Sequence, residues 1–150
     1  MADLQNLYQQ AIIDHYKRPR NFRKPAHTNR QAEGFNPLCG DKLSIFLQTD
    51  SGIIHDIAFL GAGCAISIAS ASMMTEKLKG KTEAEASVLL ERFCQMMESR
   101  TGTQEIWISM GDLDVFSSVR GYPVRTKCAT LAWYAARAAL KASQEAVSTE

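Results

Sequence analysis

The carboxylate at Asp41 constrains this chain more than any other residue does. Leu43, Ile45 and Leu47 alternate with Lys42, Ser44 and Gln48, the period of a strand with one buried face, interrupted only by Phe46. Counting back by two places Asp41 on that same apolar face. A lone buried charge is expensive, so Asp41 needs a partner, and a metal ion would supply one. Cys39 lies two residues earlier, so on an extended chain its thiol shares a face with the carboxylate. Gly40 between them has no side chain to obstruct an ion or an approaching partner.

Asp50-Ser51-Gly52 is a turn signal, and Ile53 to Leu60 reads as the second strand of a hairpin. A further strand within residues 26–35 is only weakly signalled. Gly61-Ala62-Gly63 breaks the pattern, and a helix is predicted from Cys64 to Lys79, closed by Gly80. Its small residues (Ala65, Ser67, Ala69, Ser70, Ala71, Ser72) let neighbouring backbone approach closely. Thr82 and Glu85 have capping-box spacing and open another helix, with Leu89, Leu90, Phe93, Cys94 and Met97 as its apolar set. The stretch 99–122 is irregular, with a short strand expected at Glu105–Ser109. A last helix runs from about Val124 to Ala142, and the polar tail 143–150 is expected to fray. Strands come before most of the helices, so the class is α+β.

At the N-terminus, Leu4, Leu7, Tyr8, Ala11, Ile12 and His15 form the stripe of an amphipathic helix, which should end near Lys17 because Pro19 disfavours helical geometry at Arg18. Residues 17–30 then carry Lys17, Arg18, Arg20, Arg23, Lys24 and Arg30 with no acid. A solvated surface is the favoured reading of this loop, ahead of a docking strip for an acidic partner.

With 150 residues, 45% hydrophobic and 22% charged, the chain has the composition of one soluble globular domain spanning 1–150. A net charge of +1 argues against a nucleic-acid binder. No apolar run is long enough for a membrane span, and polar Ala2-Asp3-Leu4-Gln5-Asn6 does not resemble a signal peptide, so a cytoplasmic location is expected. Thiols stay reduced there, and the four cysteines point to metal or catalysis before disulfides.

Cys64 should start a helix, where free N–H groups and the dipole favour thiolate. Cys128 lies near the start of the last helix beside Arg125 and Lys127, which favour thiolate too. Cys94, between Phe93 and Met97 on an apolar stripe, reads as a buried hydrophobe. For Cys39, Cys64 and Cys128 the wide spacing leaves both readings open, a shared metal site or separately buried thiols. Three thiolates and a carboxylate suit tetrahedral zinc, while thiolates also hold iron–sulfur clusters. A carboxylate among the ligands hints at coordination that changes during function. No P-loop, dinucleotide fingerprint or hydrolase elbow is present. His15, His27 and His55 read as surface or core-edge residues.

Several blocks carry a family resemblance. They are Asp14-His15-Tyr16-Lys17-x-Pro19-Arg20-Asn21, Asn36-Pro37-x-Cys39-Gly40-Asp41, Gly63-Cys64-Ala65-Ile66-Ser67 running on to Thr75, and Arg125-x-Lys127-Cys128-Ala129-Thr130-Leu131-Ala132-Trp133. In this order, over about residues 4–140, they resemble the SufU family, which belongs with the IscU and NifU-type scaffolds of iron–sulfur cluster assembly. The resemblance implies an α+β fold with a small antiparallel three-stranded sheet packed against four to five helices. It also implies zinc bound by Cys39, Asp41, Cys64 and Cys128. Cys39 matches the acceptor of persulfide sulfur from a SufS-type, pyridoxal-phosphate-dependent cysteine desulfurase, and downstream assembly components would receive that sulfur. Arg125 would help neutralise the site's negative charge. The alternative is a scaffold that holds a transient cluster. IscU-type proteins carry a histidine where Lys127 stands and a Leu-Pro-Pro-Val-Lys segment that Gly121-Tyr122-Pro123-Val124-Arg125 does not match. The stretch from Met97 to Pro123 is also longer here, as in SufU. These departures favour sulfur transfer.

Overall fold

The computed structural model describes residues 2–98, 111–119, 122–141 and 147–148. The alternation from Asp41 onward forms the middle strand of an α+β fold. Strands β1 (Arg30–Asn36), β2 (Asp41–Asp50) and β3 (Ile53–Ala62) make an antiparallel sheet with β2 in the centre. Asp41, Leu43, Ile45 and Leu47 all face inward with no measurable exposure. Phe46 is buried as well, so the break in the alternation marks a strand covered on both faces at that point. The β2–β3 turn sits at Ser51 and Gly52, both left-handed at φ 53° and 77°.

The weakly signalled strand is β1. Its inward residues are Ala32, Gly34 and Asn36, none of which carries a strong hydrophobic signature. They are small because helix α4 (Pro123–Leu140) lies directly on this strand: a Cβ on Gly34 would stand 3.0 Å from Leu131 Cδ1. Of the tail expected to fray, Val147–Ser148 form a two-residue strand, β4, parallel to β1 at Gly34 and Phe35. Sheet pairing thus corrects the expectation for those two residues, and the rest of 143–150 lies outside the described residues.

Helix α1 (Ala2–Lys17) packs on α2 (Ala65–Leu78), and His15 Nδ1 meets Ser72 Oγ at 2.7 Å across that contact. The basic loop after α1 is largely paired within the molecule. Arg20 reaches Asp14 at 2.7 Å, Arg23 grips both oxygens of Asp56, and Arg30 holds Glu83 and the carbonyl of Leu140 at the end of α4. The helix α3 (Glu83–Glu98) opens with the expected capping box, in which Thr82 N–H and Glu85 N–H each donate over 3.0 Å to the other's side chain. The expected strand at Glu105–Ser109 lies outside the described residues. Gly111–Val119 is a 3-10 helix that buries Leu113, Phe116 and Val119, a spacing of three that matches three residues per turn. Among the described residues no helix is long and apolar enough to cross a membrane.

Trp133 anchors the core, fully buried and stacked on Phe93 with centroids 4.1 Å apart. Its indole N–H donates to Ser70 Oγ at 2.9 Å, and that hydroxyl donates to Ala129 O at 2.6 Å. One serine therefore joins α2 to α4 at two points. Ser70→Ala leaves a buried indole N–H without its acceptor and should cost about 1–3 kcal/mol in urea unfolding. A Trp133→Phe background should reduce that cost, since the orphaned donor is then gone. Equal costs in both backgrounds would refute the coupling.

Candidate metal centre

The four donors named from the sequence come from four places in the fold. Cys39 sits in the loop Pro37–Gly40 that joins β1 to β2, and Asp41 is the first residue of β2. Cys64 is the N-cap of α2, and its sulfur accepts the Ser67 N–H at 3.4 Å. Cys128 lies in the second turn of α4. Cys39 Sγ and Cys128 Sγ are 3.1 Å apart as free thiols, and with an Asp41 oxygen they lie within 4.8 Å of one another. Cys64 Sγ lies 4.0 Å from Asp41 Oδ2 but outside that tighter group of three.

Asp41 is buried where the alternation puts it. Oδ1 accepts the Cys64 N–H at 2.8 Å and Oδ2 accepts from Asn36 Nδ2 at 3.2 Å. Both donors are neutral, and among the described residues no Lys, Arg or His pairs with this carboxylate. A buried anion beside two or three thiols, without a cationic side chain, is a donor set that fits zinc. Gly63 makes room for it, because a Cβ there would lie 2.6 Å from Asp41 Oδ1.

The three thiols differ in exposure and in proton affinity. Cys39 is exposed, Cys64 intermediate and Cys128 buried. The Cys64 thiol is lowered to about 7, chiefly by a hydrogen bond from Cys128, with burial opposing and the Ser67 N–H helping. Cys128 is raised by the same bond and then by burial. The expectation that Cys128 favours thiolate on its own is therefore corrected. The helix begins at Pro123, so the end of the dipole is more than a turn away. Arg125 is exposed, with its guanidinium 5.3 Å from the Tyr122 ring centroid, and it makes no hydrogen bond to any of the four donors. Cys94 is the buried hydrophobe expected, its thiol pushed up to about 12 mainly by burial. His27 and His55 are exposed and His15 sits at the core edge.

Asn36 is the residue that the periodicity did not single out. It is fully buried, directly opposite Asp41 across the β1–β2 pair, and it touches Cys128 as well as Asp41. Its position five residues before Asp41 carries meaning only once a four-residue loop is known to join the strands.

Residues 7–148 match the model of the NifU-like N-terminal domain family. The chain is 40% identical over 134 residues to the zinc-dependent sulfurtransferase SufU of Bacillus subtilis, covering 89% of each protein. It is 37% identical to the iron–sulfur cluster assembly scaffold protein IscU of Streptococcus pyogenes, covering 97% of this chain and 90% of that protein. A crystal structure from Fervidobacterium islandicum, described as a SUF-system cluster assembly scaffold protein, superposes with a TM-score of 0.78 at 33% identity, over 87% of this chain and 94% of that one. The fold also matches a NifU-like N-terminal structure from Brucella abortus, with a TM-score of 0.79 at 21% identity, over 92% of this chain and 94% of that one.

Gly63→Ala should displace the Asp41 carboxylate and destabilise the protein by about 1–3 kcal/mol, the usual cost of overpacking a filled site. Zinc titration should show weakened binding in that variant. Unchanged melting and unchanged zinc affinity would show that the close approach at Gly63 is unimportant.

Proposed function

The chain belongs to the NifU-like N-terminal domain family, and we propose that it works there as a zinc-dependent sulfur carrier. In this reading Cys39 accepts persulfide sulfur from a SufS-type cysteine desulfurase, a pyridoxal phosphate enzyme, and hands it on to iron–sulfur cluster assembly in the cytoplasm. The observation that carries the reading is an asymmetry: one exposed thiol, Cys39, stands 3.1 Å from a buried one and beside a buried carboxylate. Strong identity to a zinc-dependent sulfurtransferase over most of both chains supports it.

Cys39, Asp41, Cys64 and Cys128 would hold the ion, which keeps bound thiols deprotonated and ties their arrangement to folding. The protein's own groups do the remainder. Asp41 is fixed by the Cys64 N–H, Cys64 by its cap to Ser67, and Cys128 by burial in α4. Cys39 alone lies on an exposed loop and can swing to a partner. Its thiolate attacks the outer sulfur of the desulfurase persulfide, the sulfur–sulfur bond breaks, and the desulfurase cysteine leaves as thiolate. Cys39 then carries the persulfide, with no net oxidation or reduction. Arg125 enters this scheme only through charge at the rim, since it holds none of the donors.

A second reading, a scaffold on which a nascent cluster is the cargo, is supported by the likeness to IscU from Streptococcus pyogenes. The two readings separate in one experiment. Desulfurase turnover of cysteine is measured with and without this protein, beside a metal count on protein purified without oxygen. Sulfur transfer predicts zinc, a stimulated turnover, and a fall to the basal rate with Cys39→Ala. Iron with labile sulfide, or a folded Cys39→Ala that still stimulates, would overturn the carrier reading. Asp41→Ala should impair both zinc retention and stimulation.

A further inference from the structure

We infer that Asn36 is a positioning residue that decides which sulfur of the centre is exchangeable: its amide ties Cys128 to Asp41 and leaves Cys39 as the thiolate free to move. The inference deepens the metal reading and rests on it. Asn36 ends β1, is fully buried, and faces Asp41 across the strand pair. Its Nδ2 donates to Asp41 Oδ2 at 3.2 Å and to Cys128 Sγ at 3.4 Å, so each amide hydrogen has an acceptor. Its Oδ1 accepts the Leu38 N–H at 3.3 Å, which fixes the amide's orientation, because a flipped amide would set donors against that N–H.

The three sulfurs consequently differ in what they accept. Cys128 receives the Asn36 amide and Cys64 receives the Ser67 N–H. Cys39 Sγ, among the described residues, receives no N–H donor, and its hydrogen-bond partner is the Cys128 thiol. An N–H···S bond withdraws electron density from a thiolate and makes it a poorer nucleophile, so the two bonded sulfurs are quieted and Cys39 is not. The same side chain anchors the base of the Cys39 loop through Leu38, while the other end of the loop turns at Gly40, φ 71°, in open space. A fixed pair and a hinged third donor follow from one amide. Partners of this kind, behind the ligands themselves, are worth about 10- to 100-fold in metal affinity.

The test begins with the wild type loaded with a spin-half cadmium isotope. The Asn36 side-chain amide should show scalar coupling to the metal through Cys128 Sγ. Failure to bind the ion at all would sink the metal reading and this inference with it; binding without coupling would sink this inference alone. The second arm is Asn36→Leu, which keeps the branched heavy-atom skeleton but lacks the donor. Metal affinity, measured by competition with a chromophoric chelator, should fall about 10- to 100-fold. The cadmium resonance should shift in the variant, because Cys128 Sγ loses its N–H donor. Wild-type affinity together with an unshifted cadmium resonance in the variant would overturn the assignment. Should the variant not fold, the cadmium coupling decides alone.

Discussion

The hydrogen bond from the Cys64 N–H to Asp41 Oδ1, 2.8 Å long, joins the first residue of β2 to the start of α2. It places an acid on the inner face of the sheet and gives that acid a backbone donor at a helix N-terminus, where a negative charge is favoured. Neutral donors do not balance the charge of a buried carboxylate, and an added cation would. The glycine before Cys64 has no side chain because the carboxylate occupies that space. Moving Asp41 would therefore disturb the hairpin, the helix cap and the centre together.

The rest of the architecture holds the fourth candidate donor in place. Cys128 reaches the centre because α4 lies flat on β1, and α4 can do so because β1 presents Ala32, Gly34 and Asn36 inward. Ser70 and Trp133 then lock α4 to α2, the same helix whose N-cap is Cys64. Packing in the core and the placement of Cys64 and Cys128 are thus set by the same two helices. The exposed Cys39 loop lies outside that locked frame, which is why one donor differs from the others in access.

Much of this was legible in the sequence wherever the signal is local. The inward set from Asp41 to Leu47, the Thr82–Glu85 box and the closure of α2 near Gly80 each depend on neighbours within a few residues. β1 was faint because close helix packing demands small residues, which erases the hydrophobic period. The 3-10 helix at Gly111–Val119 repeats every three residues and so does not register against a period of 3.6. Asn36 depends on strand register, and the proton affinity of Cys128 depends on a thiol from a different helix. Neither can be read from adjacent residues. The family resemblance supplied the grouping of the cysteines that spacing left open.

The order of the donors along the chain has a consequence for biosynthesis. During translation Cys39, Asp41 and Cys64 leave the ribosome well before Cys128, which waits for α4 near the end of the chain. A partly made chain offers two thiols and an acid that lack the helix meant to cover them. If these four residues hold an ion, its capture in the full geometry is a late event, because it waits for the helix that carries Cys128.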